Sequence, residues 1–237
     1  MDKAFRFKEF TVFQDKTAMK VGTDGVLLGA WASLDGKPSS ILDIGAGTGL
    51  IALMLAQRSD AERIDALEIE AQAHAQCTGN FAASPWASRL SCYHTSLNDY
   101  CTGSQPSYEL VVSNPPYFVE TMASSSVSRD SARQNQWLPY EDLVMGARRL
   151  LSPAGKFCTI IPYREEERLL RLASDNLLYS CRITRVRGNT AAPVKRSLME
   201  FGREQGETAV DELVIETGRH EYTEAYQRLT GAFYLKM

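Results

Sequence analysis

The segment Ile41–Gly49 reads ILDIGAGTG, a short apolar run that leads into three glycines at alternate positions. The apolar run is typical of a buried strand, and residues 50–57 after the glycines read as a helix. Glycines at such a junction let the backbone turn tightly and approach a ligand that faces the amino terminus of the helix. Position 50 is leucine, so the spacing differs from the Gly-x-Gly-x-x-Gly fingerprint of dinucleotide-binding proteins. The segment therefore predicts a strand–loop–helix unit that binds a nucleotide-like cofactor.

The alternation of strands and helices continues downstream of this unit. After about residue 175 the pattern changes to strands with no long helix between them. This order predicts an α/β fold with a mostly parallel sheet, helices on both faces and an antiparallel edge. The predicted core strands span 41–44, 64–68, 90–94, 110–113 and 157–161, the helices 50–57, 71–81, 140–151 and 165–174, and the late strands 181–186, 197–202 and 213–216.

Composition limits the class of protein. The chain has 237 residues, 44% of them apolar, which fits one α/β domain over 1–237 that we expect to be monomeric. No apolar run has the length of a membrane span and no secretory signal is visible, so we expect a cytoplasmic protein. Five dispersed cysteines and three histidines show no metal-ligand spacing, which predicts no metal site. The net charge of −3 means that any nucleic acid must meet a local basic patch.

Acidic residues around the glycine loop indicate which cofactor it binds. Asp43 precedes Gly45, Gly47 and Gly49, and its carboxylate suits an ammonium group better than a pyrophosphate, which it would repel. Glu68 ends the second core strand about 20 residues after the last glycine, where an acid accepts hydrogen bonds from ribose hydroxyls. An amine partner and a ribose partner without a pyrophosphate site predict S-adenosylmethionine.

The run Thr95-Ser96-Leu97-Asn98, with Ser96 and Leu97 as its central residues, lies at the exit of the third core strand. From its position this run would flank the adenine ring of the cofactor. An ordinary polar loop is the alternative interpretation.

A second motif, Asn114-Pro115-Pro116-Tyr117, follows the fourth core strand. The prolines fix the backbone and remove N–H donors, so the turn presents carbonyl oxygens. The Asn114 side-chain oxygen and the Pro115 carbonyl can accept both hydrogens of a planar amine and aim its lone pair at a methyl group. Tyr117 offers an aromatic face on which a base can stack. The motif predicts methylation of a planar nitrogen, with Asn114 to Tyr117 as the catalytic set.

These motifs resemble those of class I S-adenosylmethionine-dependent methyltransferases of the Asn-Pro-Pro-Tyr group. A closer resemblance is to the bacterial tRNA1(Val) adenine-37 N6-methyltransferase family, and it is carried by the segments 10–32, 43–53, 113–117 and 222–235. The resemblance implies a Rossmann-like, seven-stranded sheet of order 3-2-1-4-5-7-6. It also implies N6-methylation of adenine 37, the base just 3′ of the anticodon, with tRNA as the partner.

The resemblance further implies that Lys20, Thr23 and Asp24 cover the cofactor pocket. Residues 1–35 would then form a cap over the site, and 36–237 the Rossmann-like core. A plain alternative is that Thr23 or Asp24 caps the helix that runs through Trp31.

Basic residues late in the chain are candidates for RNA contacts, since arginine pairs phosphate oxygens well. The alternative interpretation is that they face solvent from an edge strand or form surface salt bridges. The RNA-binding candidates are Arg129, Arg133, Arg182, Arg185, Arg187, Lys195 and Arg196.

Other functions fit parts of the same pattern. A protein N5-glutamine methyltransferase uses the same turn on a side-chain amide, but such enzymes carry an N-terminal substrate domain, and only about 40 residues precede Asp43. A DNA adenine methyltransferase would need an added target-recognition domain. A non-catalytic RNA-binding module would have no need of Asn114 and Glu68.

Overall fold

The computed structural model describes residues 4–17, 20–103, 106–116, 138–218 and 221–236. Tyr117, Arg129 and Arg133, three of the predicted site residues, lie outside these ranges. Over the described ranges the chain forms a mixed sheet of nine strands in the order β11-β10-β8-β9-β7-β6-β3-β4-β5, with a separate two-stranded hairpin, β1-β2, near the amino terminus.

The strands are β1 Ala4–Arg6, β2 Thr11–Phe13, β3 Ser40–Ile44, β4 Arg63–Glu68, β5 Leu90–His94, β6 Tyr108–Ser113, β7 Leu151–Pro162, β8 Tyr179–Asn189, β9 Arg196–Gly202, β10 Ala209–Gly218 and β11 Glu221–Tyr222. The helices are α1 Thr23–Trp31, α2 Leu50–Arg58, α3 Ala71–Ala82, α4 Leu97–Tyr100, α5 Tyr140–Leu150, α6 Glu166–Asp175 and α7 Glu224–Thr230. Short 3₁₀ turns span Ala87–Arg89 and Tyr163–Glu165.

The sheet confirms the predicted α/β class. Strands β5, β4, β3, β6 and β7 run parallel, and β9 runs antiparallel to both β7 and β8. The order β5-β4-β3-β6-β7-β9-β8 is the expected 3-2-1-4-5-7-6. The expected strand count of seven was too low, because β10 pairs in parallel with β8 and β11 pairs with β10. Leu213 of β10 and Tyr226 of α7 are buried, so this extension belongs to the core.

Alternate side chains of the central strand point into two separate apolar layers. Ile41 packs in a cluster that includes residues of α1 and α2, whereas Leu42 packs in a cluster with residues of α5 and α6. Helices therefore cover both faces of the sheet, as a buried parallel sheet requires.

Side-chain hydrogen bonds tie the carboxyl ends of three neighbouring strands together. Ser113 at the end of β6 donates through Oγ to the carbonyl of Ile44 at the end of β3, at 2.8 Å. Thr159 of β7 donates through Oγ1 to the carbonyl of Ser113, also at 2.8 Å. All three residues are buried, so the strand ends form a fixed base for the loops that follow them.

The amino-terminal hairpin is held against α3 by Asn80. The Asn80 side chain accepts from the N–H of Phe13 and donates to its carbonyl, both at 2.9 Å. The same amide nitrogen donates to the carbonyl of Thr48 in the glycine loop, at 2.9 Å. Asn80 thus connects the hairpin to the loop that was predicted to hold the cofactor.

Two local features differ from the sequence-based expectation. Helix α1 begins after Gly22, whose extended backbone serves as the N-cap without a side-chain bond, so the cap prediction for Thr23 or Asp24 was wrong. Both residues lie in the first helical turn. The short helix α4 was not predicted, and it begins directly after Ser96.

Among the described residues, no helix is both long and apolar enough to cross a membrane. Over the same ranges, no cluster of three or more histidine, cysteine or acidic side chains is arranged to hold a metal ion.

Candidate active site

A cavity of about 680 Å³ lies at the carboxyl ends of β3, β4, β5 and β6. This size is typical of sites for drug-sized ligands and cofactors, which occupy roughly 300–1,000 Å³. Its walls come from five regions of the chain: the segment before and into α1, the glycine loop with the start of α2, the ends of β4 and β5 with the residues that follow them, the turn after β6, and the start of α5. The lining residues that the argument uses are Lys20, Thr23, Asp24, Gly45, Gly47, Glu68, Ser96, Leu97, Asn98, Asn114, Pro115, Pro116 and Asp142.

The first two glycines of the loop leave space at the cavity wall. Gly45 and Gly47 line the cavity, and a Cβ atom added at either would meet no heavy atom within 4 Å. Ligand atoms can therefore approach the backbone closely at both positions. Gly47 has φ of +58°, a left-handed conformation that favours glycine.

Gly49 has a different role from the one predicted for it. It is the N-cap of α2 with φ of +80°, and it is not among the described residues that line the cavity. A Cβ atom there would lie 2.6 Å from Cε1 of Phe81 and 2.8 Å from Sγ of Cys77, both on α3. The third glycine lets α2 and α3 pack closely.

We therefore expect Gly49→Ala to lower the free energy of unfolding by about 2–5 kcal/mol, because it adds overpacking to left-handed strain. Gly47→Ala is the matched control, since its added methyl group has room and only the strain of about 1–2 kcal/mol applies. Urea unfolding of the two variants measures the difference. Equal losses in the two variants would contradict the packing role of Gly49.

Asp43 lies beneath the loop and is fully buried. Its Oδ2 accepts a hydrogen bond from the Ala52 N–H at 3.2 Å, whereas Oδ1 has no hydrogen-bond partner among the described residues. Burial raises the pKa of this carboxyl to about 7, with a smaller upward contribution from the charge of Glu68 and a downward one from the Ala52 bond. Asp43 is not among the described residues that line the cavity, so it can act on a ligand only from behind the loop. A buried acceptor without a partner favours a nearby cationic donor.

Glu68 lines the cavity at the end of β4, where the sequence placed it. Its Oε2 accepts from the N–H of Gly47 at 2.7 Å, and its Oε1 accepts from the N–H of Glu70 at 2.8 Å. These two bonds fix the carboxylate, and each oxygen keeps a lone pair for a further donor. The carboxylate of Glu68 is therefore held in place with acceptor capacity left on both oxygens.

The turn after β5 forms another wall of the cavity. Ser96 caps α4: its Oγ accepts from the N–H of Asp99 at 3.0 Å and donates to Oδ2 of the same residue at 2.6 Å. Leu97 is buried in the apolar layer that includes residues of α5. Both residues line the cavity as predicted by position, but the Ser96 hydroxyl is already engaged in capping.

Sequence reasoning included Asn98 in the run predicted to flank the adenine ring but did not find Asp142. Both line the cavity, and Nδ2 of Asn98 donates to Oδ2 of Asp142 at 2.9 Å. The residues are 44 positions apart, on α4 and α5, and no short-range pattern connects them. Asn98 stands in the run after the third strand, which was the one available signal.

The residues expected to cover the pocket do line it. Lys20 donates through Nζ to the carbonyls of Gln14 and, at 3.2 Å, Thr17, so its ammonium group braces the chain before α1. Asp24 accepts from Nε of Arg196 at 2.8 Å. This ion pair places Arg196, predicted as an RNA-binding residue, next to a residue of the cavity wall, although Arg196 is not itself among the described residues that line the cavity.

The turn after β6 joins the two motifs that the sequence separates by about 70 residues. Asn114 is half-buried, Pro115 is buried and Pro116 is exposed, and all three line the cavity with Gly45, Gly47 and Glu68. A planar amine held at Asn114 would thus share one enclosed space with a ligand held at the glycine loop.

Besides Arg196, three more of the predicted RNA-binding arginines form ion pairs within the fold. Arg182 stacks on the Trp31 ring, 3.8 Å from its centroid, and pairs with Glu200 at 3.2 Å. Arg185 pairs with the buried Glu166 at 2.7 Å. Arg187 pairs with Glu212 at 2.5 Å. Lys195, by contrast, is exposed in the turn before β9.

Comparison with known proteins gives both a family and close relatives. Residues 21–170 match the family described as "MTS: Methyltransferase small domain". A protein of Flavobacterium psychrophilum named tRNA1(Val) (adenine(37)-N6)-methyltransferase is 53% identical over 98% of this chain and 100% of its own. A protein of the same name from Pectobacterium carotovorum subsp. carotovorum is 43% identical over 98% of this chain and 94% of its own.

Solved structures show the same fold at low sequence identity. The crystal structure of a predicted O-methyltransferase from Agrobacterium tumefaciens covers 89% of this chain and 96% of its own, with a TM-score of 0.68 at 17% identity. A ribosomal protein L11 methylase from Lactobacillus delbrueckii subsp. bulgaricus covers 76% of this chain and 77% of its own, with a TM-score of 0.55 at 15% identity. The two structures support the class I methyltransferase fold.

Proposed function

We propose a function for this chain on the premise that it belongs to the methyltransferase small domain family and, within it, to the family of tRNA1(Val) (adenine(37)-N6)-methyltransferases. It transfers a methyl group from S-adenosylmethionine to N6 of adenine 37 in tRNA1(Val). The observation that carries the proposal is the single cavity that joins Gly45, Gly47 and Glu68 to Asn114 and Pro115. As a tRNA-modifying enzyme it would act in the cytoplasm, and one chain contains both halves of the site.

The residues present fit this cofactor. Glu68, fixed by two backbone N–H groups, would accept the ribose hydroxyls, and the open backbone of Gly45 and Gly47 would lie against the ligand. Asp43 has a buried oxygen without a described partner and would attract the ammonium group of the methionine part from behind the loop. When bound, the cofactor supplies an electrophilic methyl group on a sulfonium centre.

The Asn-Pro-Pro turn would position the N6 amine of the target adenine for methyl transfer. The lone pair of an adenine N6 is conjugated with the ring, so the amine is a weak nucleophile until its hydrogens are held by acceptors. The side-chain oxygen of Asn114 and the carbonyl of Pro115 would accept these two hydrogens and orient the lone pair towards the methyl group. They would also stabilise the positive charge that develops on nitrogen during transfer. Tyr117 would stack on the base.

An anticodon loop suits this site because its bases are already unpaired in part. Extruding such a base requires less energy than opening a duplex. Since Arg182, Arg185, Arg187 and Arg196 are all engaged with acids, we propose Lys195 as the RNA contact of that set.

We expect Lys195→Ala to weaken tRNA binding and to reduce the slope of log affinity against log salt by about one phosphate contact. Arg149→Ala is the control, because Arg149 is exposed at the end of α5, where the chain enters β7 at the opposite edge of the sheet. Filter binding at several salt concentrations measures both slopes. If the two variants had the same slope as the wild type, Lys195 would not contact RNA.

The test of the function is methyl transfer from labelled S-adenosylmethionine to total tRNA, duplex DNA and a protein release factor in parallel. We expect label in tRNA, recovered as N6-methyladenosine after nucleoside analysis. Label in protein glutamine would instead support the N5-glutamine methyltransferase. RNA binding without transfer to any substrate would indicate a non-catalytic module.

A further inference from the structure

The cavity extends past Glu68, on the side away from Asn114, to a polar pair on two helices. In the sheet order β6-β3-β4-β5, Asn114 follows β6, Glu68 ends β4, and Asn98 lies in α4 shortly after β5. In the pairing of β4 with β5, Glu68 lies opposite His94, the last residue of β5. At roughly 4.8 Å between strands, the end of β5 is about 5 Å beyond Glu68 and about 14 Å from the end of β6.

A ligand with its ribose at Glu68 and its methyl group at Asn114 must therefore place its base on the β5 side of the cavity. Methionine, ribose and base are joined in that order in S-adenosylmethionine. Ile69, which follows β4, and Leu97, which follows the loop after β5, line the cavity there. Ile69 is 47% exposed, so it offers an apolar side chain that a flat ring can cover.

Asp142 brings an unused carboxylate oxygen to this part of the cavity. It stands in the first turn of α5, whose amino terminus favours negative charge, and it lines the cavity together with Asn98. Nδ2 of Asn98 donates to Oδ2 of Asp142 at 2.9 Å. Over the described ranges, no donor reaches Oδ1 and no cation forms an ion pair with this carboxylate. One oxygen is thus fixed by Asn98, and the other is available to a donor on a ligand.

The other acidic side chains of the described cavity wall already bind groups of the protein. Asp24 forms an ion pair at 2.8 Å, and Glu68 accepts from two backbone N–H groups. Glu70 caps α3, and the hydroxyl of Ser96 caps α4. Asp142 is therefore the side chain of the wall best placed to accept a hydrogen bond from the edge of a base.

We propose that Asp142 recognises the exocyclic amine of the cofactor's adenine, and that Asn98 is the positioning residue that holds the carboxylate for this role. Oδ1 of Asp142 accepts a hydrogen of the amine, the donor by which adenine differs from a 6-oxo purine. Asn98 acts only through Asp142. The inference rests on the proposed function and deepens it, because it assigns selection of the cofactor's base to a helix distant in sequence from the glycine loop.

The first measurement uses the wild-type protein and two ligands. Isothermal titration compares S-adenosylhomocysteine with its 6-deamino analogue, in which hydrogen replaces the amine of the purine. The analogue leaves Oδ1 of Asp142 without a donor. It is expected to bind roughly 10-fold more weakly, the effect of losing one hydrogen bond to a charged group.

Variants show which side chain is responsible for this preference. Asp142→Ala should weaken binding of S-adenosylhomocysteine roughly 10-fold and leave the analogue nearly unchanged, so that the two ligands bind alike. Asn98→Ala should reduce the preference and change nothing further when combined with Asp142→Ala. Glu141→Ala is the matched control and should keep the preference. Glu141 is in the same turn of α5, but it pairs with Arg168 at 2.9 Å and is not among the described residues that line the cavity.

The outcomes distinguish this inference from the proposed function. If the wild type binds neither ligand, the cofactor assignment and the proposed function fail. If it binds both ligands equally, or if the preference survives in Asp142→Ala, only the role of Asp142 is overturned. Unchanged titrations in Asp142→Ala together with a raised KM for tRNA would place Asp142 at the target base and would also overturn the inference. Because the wild-type comparison needs no variant, it tests the proposal even if Asp142→Ala does not fold.

Discussion

Asn114→Ala is expected to slow methyl transfer at least about 100-fold, the effect typical of removing one preorganised polar group from an active site. Asn114 is the half-buried residue of the Asn-Pro-Pro turn that lines the cavity. The bonds of Ser113 and Thr159 that fix the strand ends do not involve its side chain. The variant should therefore fold and bind cofactor normally while losing the acceptor that orients the amine.

Single-turnover kinetics with saturating enzyme and cofactor measures this effect, because it isolates the chemical step from binding. Asn176→Ala is a useful control. Its Nδ2 donates to the carbonyl of Leu172 at 2.8 Å, at the end of α6, so the variant tests the loss of a structural asparagine. If Asn114→Ala turned over near the wild-type rate, the proposed role in orienting the amine would be wrong.

The second large effect is expected for Glu68→Ala, in cofactor affinity. Loss of charge-assisted hydrogen bonds to the ribose costs about 1.5–3 kcal/mol, which corresponds to roughly 10- to 150-fold weaker binding. The mutation also removes the bond that Oε2 accepts from the Gly47 N–H and so loosens the loop. Isothermal titration with S-adenosylmethionine and with its demethylated product measures the loss.

Glu70→Ala is the matched control for Glu68→Ala. Glu70 also lines this cavity, but its two carboxylate oxygens cap α3 by accepting from the N–H groups of Gln72 and Ala73. Its loss should lower stability by about 1 kcal/mol and leave cofactor affinity nearly unchanged. Equal affinity losses in the two variants would show that the effect of Glu68 is general to the loop and not due to the ribose.

The sequence predicted most reliably what depends on neighbouring residues. The third core strand was predicted at 90–94 and is observed at Leu90–His94, between the 3₁₀ turn Ala87–Arg89 and the loop before α4. Glu68 was likewise predicted at the end of a strand from the residues around it, and it lies at the end of β4 in the cavity wall. Parallel pairing then brings all carboxyl ends to one edge, which explains why the two distant motifs meet.

What the sequence could not show depends on contacts between residues far apart in the chain. Gly49 faces Phe81 and Cys77 of α3, so the reason for this glycine becomes visible only when the helices pack. In the sequence Arg185 looks like an exposed cation on a strand, but in the structure it forms an ion pair with Glu166 of α6. Asp142 lies at the cavity because α5 packs next to α4, where Asn98 donates a hydrogen bond to it. Periodicity and spacing carry no information about such pairings.

The most direct test of the central claim uses two unmodified transcripts of tRNA1(Val), one with adenine at position 37 and one with guanine there. With the wild-type enzyme and labelled S-adenosylmethionine, we expect stoichiometric N6-methyladenosine at position 37 of the first transcript and background label in the second. Equal label in both transcripts, or label on a base other than adenine 37, would contradict the account.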